Sequence, residues 1–296
     1  GREAPMLSAA DVRAAAQSRI RWELLANLVR KDLKVKYKNS ALGFLWSLAN
    51  PLLYLAVFGL VFTQFLKNGV PEFWVLFMSG LLVWNFFNLS TLSATGVVVG
   101  SANLVRKVRF PRVVLPLASV GFAGVHFVLQ MLVFFITLLA FYRAFIGPQL
   151  VLLVPALAVV LVFTVGMALL VSALNVRYRD VEHLLEIALI AWFWLTPIVY
   201  PVTLVKDLLI GRAHNLLWYL FMSNPMTAVV TAMQRAIYRS PVVLRTDNHQ
   251  PYQVLATGGY GFYLKWLGIA GITSLVLLAV GLLVFRRMQA DFAEEL

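Results

Sequence analysis

The stretch AFIGPQLVLLVPALAVVLVFTVGMALLVSALNV, residues 144–176, contains no charged side chain. A helix needs about 20 apolar residues to cross roughly 30 Å of hydrocarbon, so this stretch is long enough for one crossing. Five further uncharged runs have the same character: 39–66, 73–105, 113–142, 187–205 and 266–285. These runs are too long for barrel strands, and only a helix pairs its own backbone in lipid. The pattern predicts an all-α integral membrane protein with six transmembrane helices.

The six predicted spans form a single domain, 39–296, which follows an N-terminal tail, 1–18, and a separate helix, 19–38. The spans are expected at 44–66, 73–97, 114–142, 149–174, 184–200 and 264–285.

Lys and Arg distinguish the two sides of the membrane. They are concentrated before the first run and after the second, fourth and sixth, whereas the short loops between carry single residues such as Lys67 and Arg143. Basic short loops stay in the cytoplasm, so both termini are predicted to be cytoplasmic. The net charge of +12 follows from this topology and from contact with anionic membrane lipids. It gives no reason to expect nucleic acid as a partner.

Residues 19–38 have the pattern of an amphipathic helix. Apolar residues recur at helical spacing from Ile20 to Leu33, and basic residues crowd the remaining face. Such a helix should lie along the cytoplasmic interface. Arg30, Lys31 and Lys34 could attract the diphosphate head group of a lipid there, although they would attract any anionic lipid. A plain membrane anchor is the alternative.

A near-seventh apolar run separates the fifth and sixth spans. Residues 213–234 carry no Lys, Asp or Glu and no Arg, but Asn224 and Pro225 divide them into halves of about 11 residues, each roughly 16 Å long and too short to cross. We predict two short re-entrant helices at about 213–238 that enter from the outer face, with Asn224 and Pro225 at an outer gate. An external cap without a gating role is the alternative.

The sequence gives little support for chemistry within this chain. No Asp, Glu, Lys or Arg lies in the middle of the six runs, which argues against an ion-coupled carrier. No phosphate-binding pattern of the form G-x-x-x-x-G-K-[ST] occurs, so ATP and Mg would have to bind to another chain. The sequence has no Cys, and Asp180 with Glu182 and Glu186 is read most simply as the first turn of a helix capped by Asp180. We predict no catalytic residue, metal site or cofactor here, and therefore no enzyme.

Four blocks carry a family resemblance. They read LVRKDLKVKYKNSALGFLWSLANPLL (28–53), NLVRKVRFPRVVLP (103–116), SALNVRYRDVEHLLEIAL (172–189) and NPMTAVVTAMQRAIY (224–238). In kind and order they resemble ATP-binding-cassette type-2 permeases that export polysaccharides, O-antigen or teichoic acids. The resemblance extends from Ile20 to Arg287.

The resemblance implies a permease of the bacterial cytoplasmic (inner) membrane that pairs with a second copy of itself and with two separate ATPase subunits. Its substrate would be a polyprenyl-diphosphate-linked glycan, exported through a channel at the dimer interface. Aromatic side chains could line that channel as flat surfaces for sugar rings, although interface belts and helix packing explain most such rings; the candidates are Trp84, Phe87, Trp192 and Trp194. Coupling to the ATPase is assigned by position to Ser101, Asn103, Leu104, Arg106, Lys107, Arg109, Arg177, Arg179 and Asp180.

Two other functions remain open on the sequence. A permease of the same fold could export a small amphiphile such as a drug or a lipid. A membrane enzyme acting on lipid-linked sugars is the second alternative, and it would need Asp180, Glu182 and Glu186 for catalysis.

Overall fold

The structure is a computed structural model, and it describes residues 9–38, 72–108, 110–141, 147–210, 215–238, 242–244, 251–256 and 258–296, with isolated residues between 40 and 70 and at 249. Its elements are α1 (Ala9–Tyr37), α2 (Phe73–Gly100), α3 (Ala102–Lys107), α4 (Val114–Phe141), a 3-10 turn (Pro148–Leu152), α5 (Leu153–Arg177), α6 (Val181–Leu195), α7 (Val202–Ile210), α8 (Asn215–Ser223), α9 (Pro225–Ile237), β1 (Val242–Leu244), β2 (Pro251–Gln253), α10 (Gly259–Met288) and α11 (Phe292–Glu295).

Four helices of the described chain are long and apolar enough to cross a membrane: α2, α4, α5 with its preceding 3-10 turn, and α10. They correspond to the second, third, fourth and sixth predicted spans. The pair α8 and α9, bent by 80° between Ser223 and Pro225, would be a fifth if it counts as one broken span. The protein is therefore a mostly helical membrane protein, as predicted. The first predicted span, 44–66, lies mostly outside the described residues.

The fifth predicted span, 184–200, differs from the structure at both ends. Helix α6 starts at Val181 and stops at Leu195 after 15 residues, a length of about 22 Å at helical rise. It stops there because Pro197 disfavours helical geometry at Thr196. Residues 196–199 continue as buried non-helical turns, so α6 by itself is shorter than the hydrocarbon layer.

Two further features were not in the sequence prediction. Helix α1 begins at Ala9 and so extends into the segment expected as a tail, 1–18. An antiparallel pair of three-residue strands follows α9, with Val243 opposite Tyr252. The sequence prediction was purely helical and missed these strands. Each strand has only three residues, which is too few to show an alternation of apolar and polar side chains.

Helices α5 and α10 cross in close contact at two glycines. A Cβ atom built on Gly281 would lie 2.5 Å from the carbonyl oxygen of Gly166, and one built on Gly166 would lie 2.7 Å from the backbone nitrogen of Leu278. Only glycine fits such a contact. Small residues at helix crossings are typical of membrane bundles, where close packing replaces the hydrophobic effect.

Candidate functional site

Helix α3 forms a short amphipathic turn at one end of the bundle. It starts where α2 ends, because the Ser101 N–H still donates to the carbonyls of Val97 and Val98 at 3.1 and 3.2 Å. Val105 is buried, Ser101 and Leu104 are half-buried, and the outward face presents Asn103, Arg106 and Lys107. The predicted site residue Arg109 lies outside the described residues. We call this end of the molecule the α3 end.

The C-terminal segment packs onto the α3 end. Phe292 of α11 is fully buried, and its ring lies perpendicular to that of Phe285 at a centroid distance of 5.4 Å. The two rings share an apolar cluster with Val98 and Val105. The guanidinium of Arg112, just before α4, donates a hydrogen bond to the carbonyl oxygen of Gln289. The tail thus supports the buried side of α3, a role that the sequence analysis missed.

The predicted residues between α5 and α6 lie at the same end. Arg177, Arg179 and Asp180 are all exposed. Asp180 occupies the predicted N-cap position of α6, but its side chain makes no capping hydrogen bond. The prediction is therefore right about the position and wrong about the hydrogen bond. Its carbonyl accepts from the Leu184 N–H at 3.0 Å instead. The carboxylate is left facing solvent.

A buried amide ties α5 to α2 near these residues. Asn175 is 2% exposed, and its Nδ2 donates to the carbonyl oxygen of Thr95 at 3.1 Å. The sequence signal for this contact was a lone Asn at the end of an apolar helix. Because a buried amide must be bonded to offset its lost hydration, Asn175 fixes the spacing between the ends of α2 and α5.

The basic residues of α1 divide into two sets. The predicted residues Arg30, Lys31 and Lys34 are exposed, and Lys31 lies 4.0 Å from its neighbour Asp32. Lys36 instead extends toward α4, where its Nζ lies 5.1 Å from the centre of the Phe122 ring.

The four predicted channel aromatics meet between α2, α5 and α6 but differ in exposure. The Phe87 ring is fully buried and contacts Phe163 and Trp192 at centroid distances of 5.3 and 5.4 Å. Trp84 is nearly buried, whereas Trp194 is 51% exposed. Phe87 therefore lies in the packing of the subunit, and Trp194 is the ring that reaches its surface.

The predicted break at Asn224 and Pro225 is present and is held to α6. The Asn224 side-chain oxygen accepts from the Met226 N–H at 3.1 Å, which caps α9, and from the Trp192 indole N–H, also at 3.1 Å. At the other end of α9, Gln234 Nε2 donates to the Pro197 carbonyl at 2.8 Å. Two hydrogen bonds thus connect α9 to α6 and to the turn that follows α6. All of α9 except Pro225 and Arg235 is buried.

Two clefts lie on either side of α2. One, of about 560 Å³, is bounded by α2, α4, the end of α1 and Trp46 of the first uncharged run. The other, of about 480 Å³, is bounded by α2 and α6 and includes Trp84 and Trp194. Both share the surface formed by Asn85, Asn88 and Leu92. This face of α2 is therefore a polar ridge between two grooves.

The structure is a helical bundle with an amphipathic loop helix, and the sequence has no ATP-binding pattern of the form sought above. Both features agree with the family comparison. The model of the ABC-2 type transporter family matches residues 23–238. The chain belongs to this family and is a transmembrane transport protein.

Curated relatives match along nearly the whole chain. The sequence is 30% identical over 273 residues to the O-antigen export system permease protein RfbA of Myxococcus xanthus, covering 92% of this chain and 95% of that protein. It is 28% identical over 276 residues to a permease of the same description from Klebsiella pneumoniae, with the same coverage of both chains.

Proposed function

We propose that this chain is the permease subunit of an ATP-driven exporter that moves a polyprenyl-diphosphate-linked polysaccharide out of the bacterial cytoplasm. The observation that carries the proposal is the similarity to O-antigen export permeases over 92% of the chain. The family match over residues 23–238 includes α3 and the α8 and α9 pair, which the mechanism needs. ATP and Mg would bind to two partner ATPase subunits.

In this proposal the α3 end is cytoplasmic and meets the ATPase. Both termini and the basic residues Arg106, Lys107, Arg177 and Arg179 then lie on the cytoplasmic side, as the charge rule expects. The exposed face of α3 offers Asn103, Arg106 and Lys107 to the partner, while Val105 joins it to the cluster around Phe292. A push on α3 would reach α2 directly through Ser101 and the other long helices through this cluster.

The pair α8 and α9 would form the outer gate. Trp192, which holds the bend at Asn224, lies about 17 Å along α6 from its start at the α3 end. Gln234 and Pro197 meet farther from that end, since α6 has already terminated there. The pair would therefore enter from the outer face, turn at Asn224 and return. The polar groups of α9 and the bend are tolerated at this depth because α9 is buried in protein.

The route for the glycan would follow the polar ridge of α2 at an interface between two copies of the chain. Asn85 and Asn88 supply hydrogen-bonding groups, and Trp84 and Trp194 supply flat surfaces beside them. The exposed bases Arg30, Lys31 and Lys34 would gather the anionic head group from the cytoplasmic leaflet.

A deletion strain tests this function. Loss of the chain should leave lipid-linked glycan inside the cell and none at the surface, and the wild-type gene should restore export. In the complemented strain, Arg106→Glu with Lys107→Glu should abolish export while the protein still accumulates in the membrane. The matched control Lys38→Glu, which reverses the charge of an exposed basic residue outside α3, should export normally. Unchanged surface glycan in the deletion strain would refute the proposal.

A further inference from the structure

Lys36 is an exposed cation on the rim of a cleft. None of the described residues places a carboxylate within ion-pair distance of Lys36, and its Nζ lies 5.1 Å from the centre of the Phe122 ring. Partial desolvation by the surrounding protein lowers the pKa of the Lys36 ammonium below its usual range. Even partial desolvation of an ammonium has a cost, which a bound anion would offset. A ring face compensates only in part.

This cation borders the 560 Å³ cleft between α2 and α4. The polar lining consists of Lys36, Asn85, Asn88, His126 and Gln130. None of the described lining residues is acidic. The cleft therefore combines one positive charge with amide and imidazole groups. These groups suit an anionic ligand, and the described lining has no negative charge that would repel a phosphate.

The polar groups extend well beyond Lys36. Along α4, Gln130 lies two helical turns past Phe122, a distance of about 12 Å at helical rise. Trp46, Leu53 and Phe127 belong to the apolar part of the same cleft. An ordinary anionic phospholipid at Lys36 would offer few hydroxyl groups to the amides of Asn85 and Asn88. A head group that continues into a hydroxyl-rich chain would use them.

We propose that this cleft binds the phosphate-bearing end of a lipid-linked saccharide, with Lys36 Nζ contacting phosphate oxygens and Asn85, Asn88 and Gln130 contacting sugar hydroxyls. The inference rests on the proposed function and names a site for its substrate. The exposed bases of α1 would then collect the head group, and Lys36 would hold it at the entrance to the α2 ridge. The apolar wall around Trp46 and Leu53 would accept the start of the prenyl chain.

The absence of Cys makes a direct binding measurement possible. Ala49→Cys places a single thiol on the cleft wall for an environment-sensitive fluorophore. The labelled full-length permease, in its complex with the ATPase and in phosphatidylcholine nanodiscs, is titrated with two probes. One is a polyprenyl diphosphate and the other is the same lipid carrying a disaccharide. Phosphatidylglycerol serves as a competitor.

Lys36→Gln should weaken the binding of both probes about tenfold or more, the usual effect of losing a hydrogen bond to a charged group. Lys36→Arg should bind nearly as wild type does. Asn88→Leu should weaken only the disaccharide probe. The matched control Lys38→Gln removes an exposed cation two residues away and should leave both affinities within about twofold.

Three results would overturn the site. They are unchanged affinities in Lys36→Gln, an equal loss in Lys38→Gln, or displacement of the disaccharide probe by phosphatidylglycerol at the same concentration as by the unlabelled probe. The last result would assign the cleft to bulk anionic lipid. Failure of the proposed function is recognised separately, because the deletion strain would then show normal surface glycan whatever the binding data.

Discussion

Helices α6 and α9 are similar in length and are joined by the hydrogen bond between Trp192 and Asn224, yet their environments are opposite. Helix α6 is built mainly from Leu, Ile, Ala and Trp, and Leu189 is its one buried side chain. Helix α9 carries two Thr, a Gln and an Arg, and eleven of its thirteen residues are buried. The more polar helix is therefore the inner one.

The physical reason is that lipid removes the usual preference of apolar side chains for the protein interior. Lipid tails are as apolar as Leu, so helices associate through close packing and hydrogen bonds between small or polar residues. In α9, Ala228, Ala232 and Ala236 allow close approach, and Gln234 bonds to the Pro197 carbonyl. Small and polar residues, not hydropathy, mark the packed faces of this bundle.

The largest effect should come from the closest small-residue contact. Gly281→Leu places a side chain where a Cβ atom would already lie 2.5 Å from the Gly166 carbonyl. It should lower the free energy of unfolding by about 3 kcal/mol or more. Gly268→Leu, on the same helix with no atom within 4 Å of its Cβ position, should be neutral or stabilising. Thermal unfolding in detergent, followed by size-exclusion chromatography, measures both; equal losses would contradict the packing rule.

Replacing one Ala by Leu in each of the two helices tests whether α9 is packed in the interior and α6 is not. Ala232 in α9 is fully buried, whereas Ala191 in α6 is exposed. Ala232→Leu should destabilise by about 2 kcal/mol through overpacking, and Ala191→Leu should change stability by less than about 0.5 kcal/mol. The thermal midpoints of the two variants supply the measurement. A larger loss at Ala191 would show that α6 is the packed helix.

The hydrogen bond that joins the two helices should contribute less. Trp192→Phe removes the indole donor, Asn224→Ala removes its acceptor and the cap of α9, and the double variant completes a cycle. We expect a coupling free energy of about 1 kcal/mol. Strictly additive losses in chemical unfolding would mean that the contact of 3.1 Å adds no stability.

The smallest effect is expected on the outer face of α6. Ile187 is 68% exposed, and Ile187→Ala should change the unfolding free energy of the subunit by less than about 0.5 kcal/mol. Unfolding in detergent, compared with Leu189→Ala as the buried counterpart, gives the measurement. A loss at Ile187 as large as at Leu189 would indicate that this face is packed against another subunit.

Much of the fold was predictable because long uncharged runs have few alternatives. Four of the six predicted spans correspond to long apolar helices, and the break at Asn224 and Pro225 follows from the chemistry of proline. The end of α6 at Leu195 was placed too late, because residues 196–199 are apolar enough to continue a hydropathy run although they are not helical. Hydropathy measures the free energy of transfer into lipid and contains no information on backbone geometry.

The candidate site was predictable only in part. Exposed bases near α3 follow from charge patterning, and Asn224 from the Asn-Pro pair. Phe292, Asn175 and Lys36 were not singled out, since each acts through a partner far away in sequence: Val105, Thr95 and the α4 face near Phe122. No local pattern encodes such distant pairs.

The sequence by itself determined that this chain lies in a membrane, where its long helices are, where α8 breaks from α9, and to which transporter family it belongs. The tertiary structure decided which helix is inside. Lipid accepts the apolar face of α6 as readily as protein does, so only the fit of small residues and the pairing of buried polar groups, both set by neighbours in space, could place α9 in the interior.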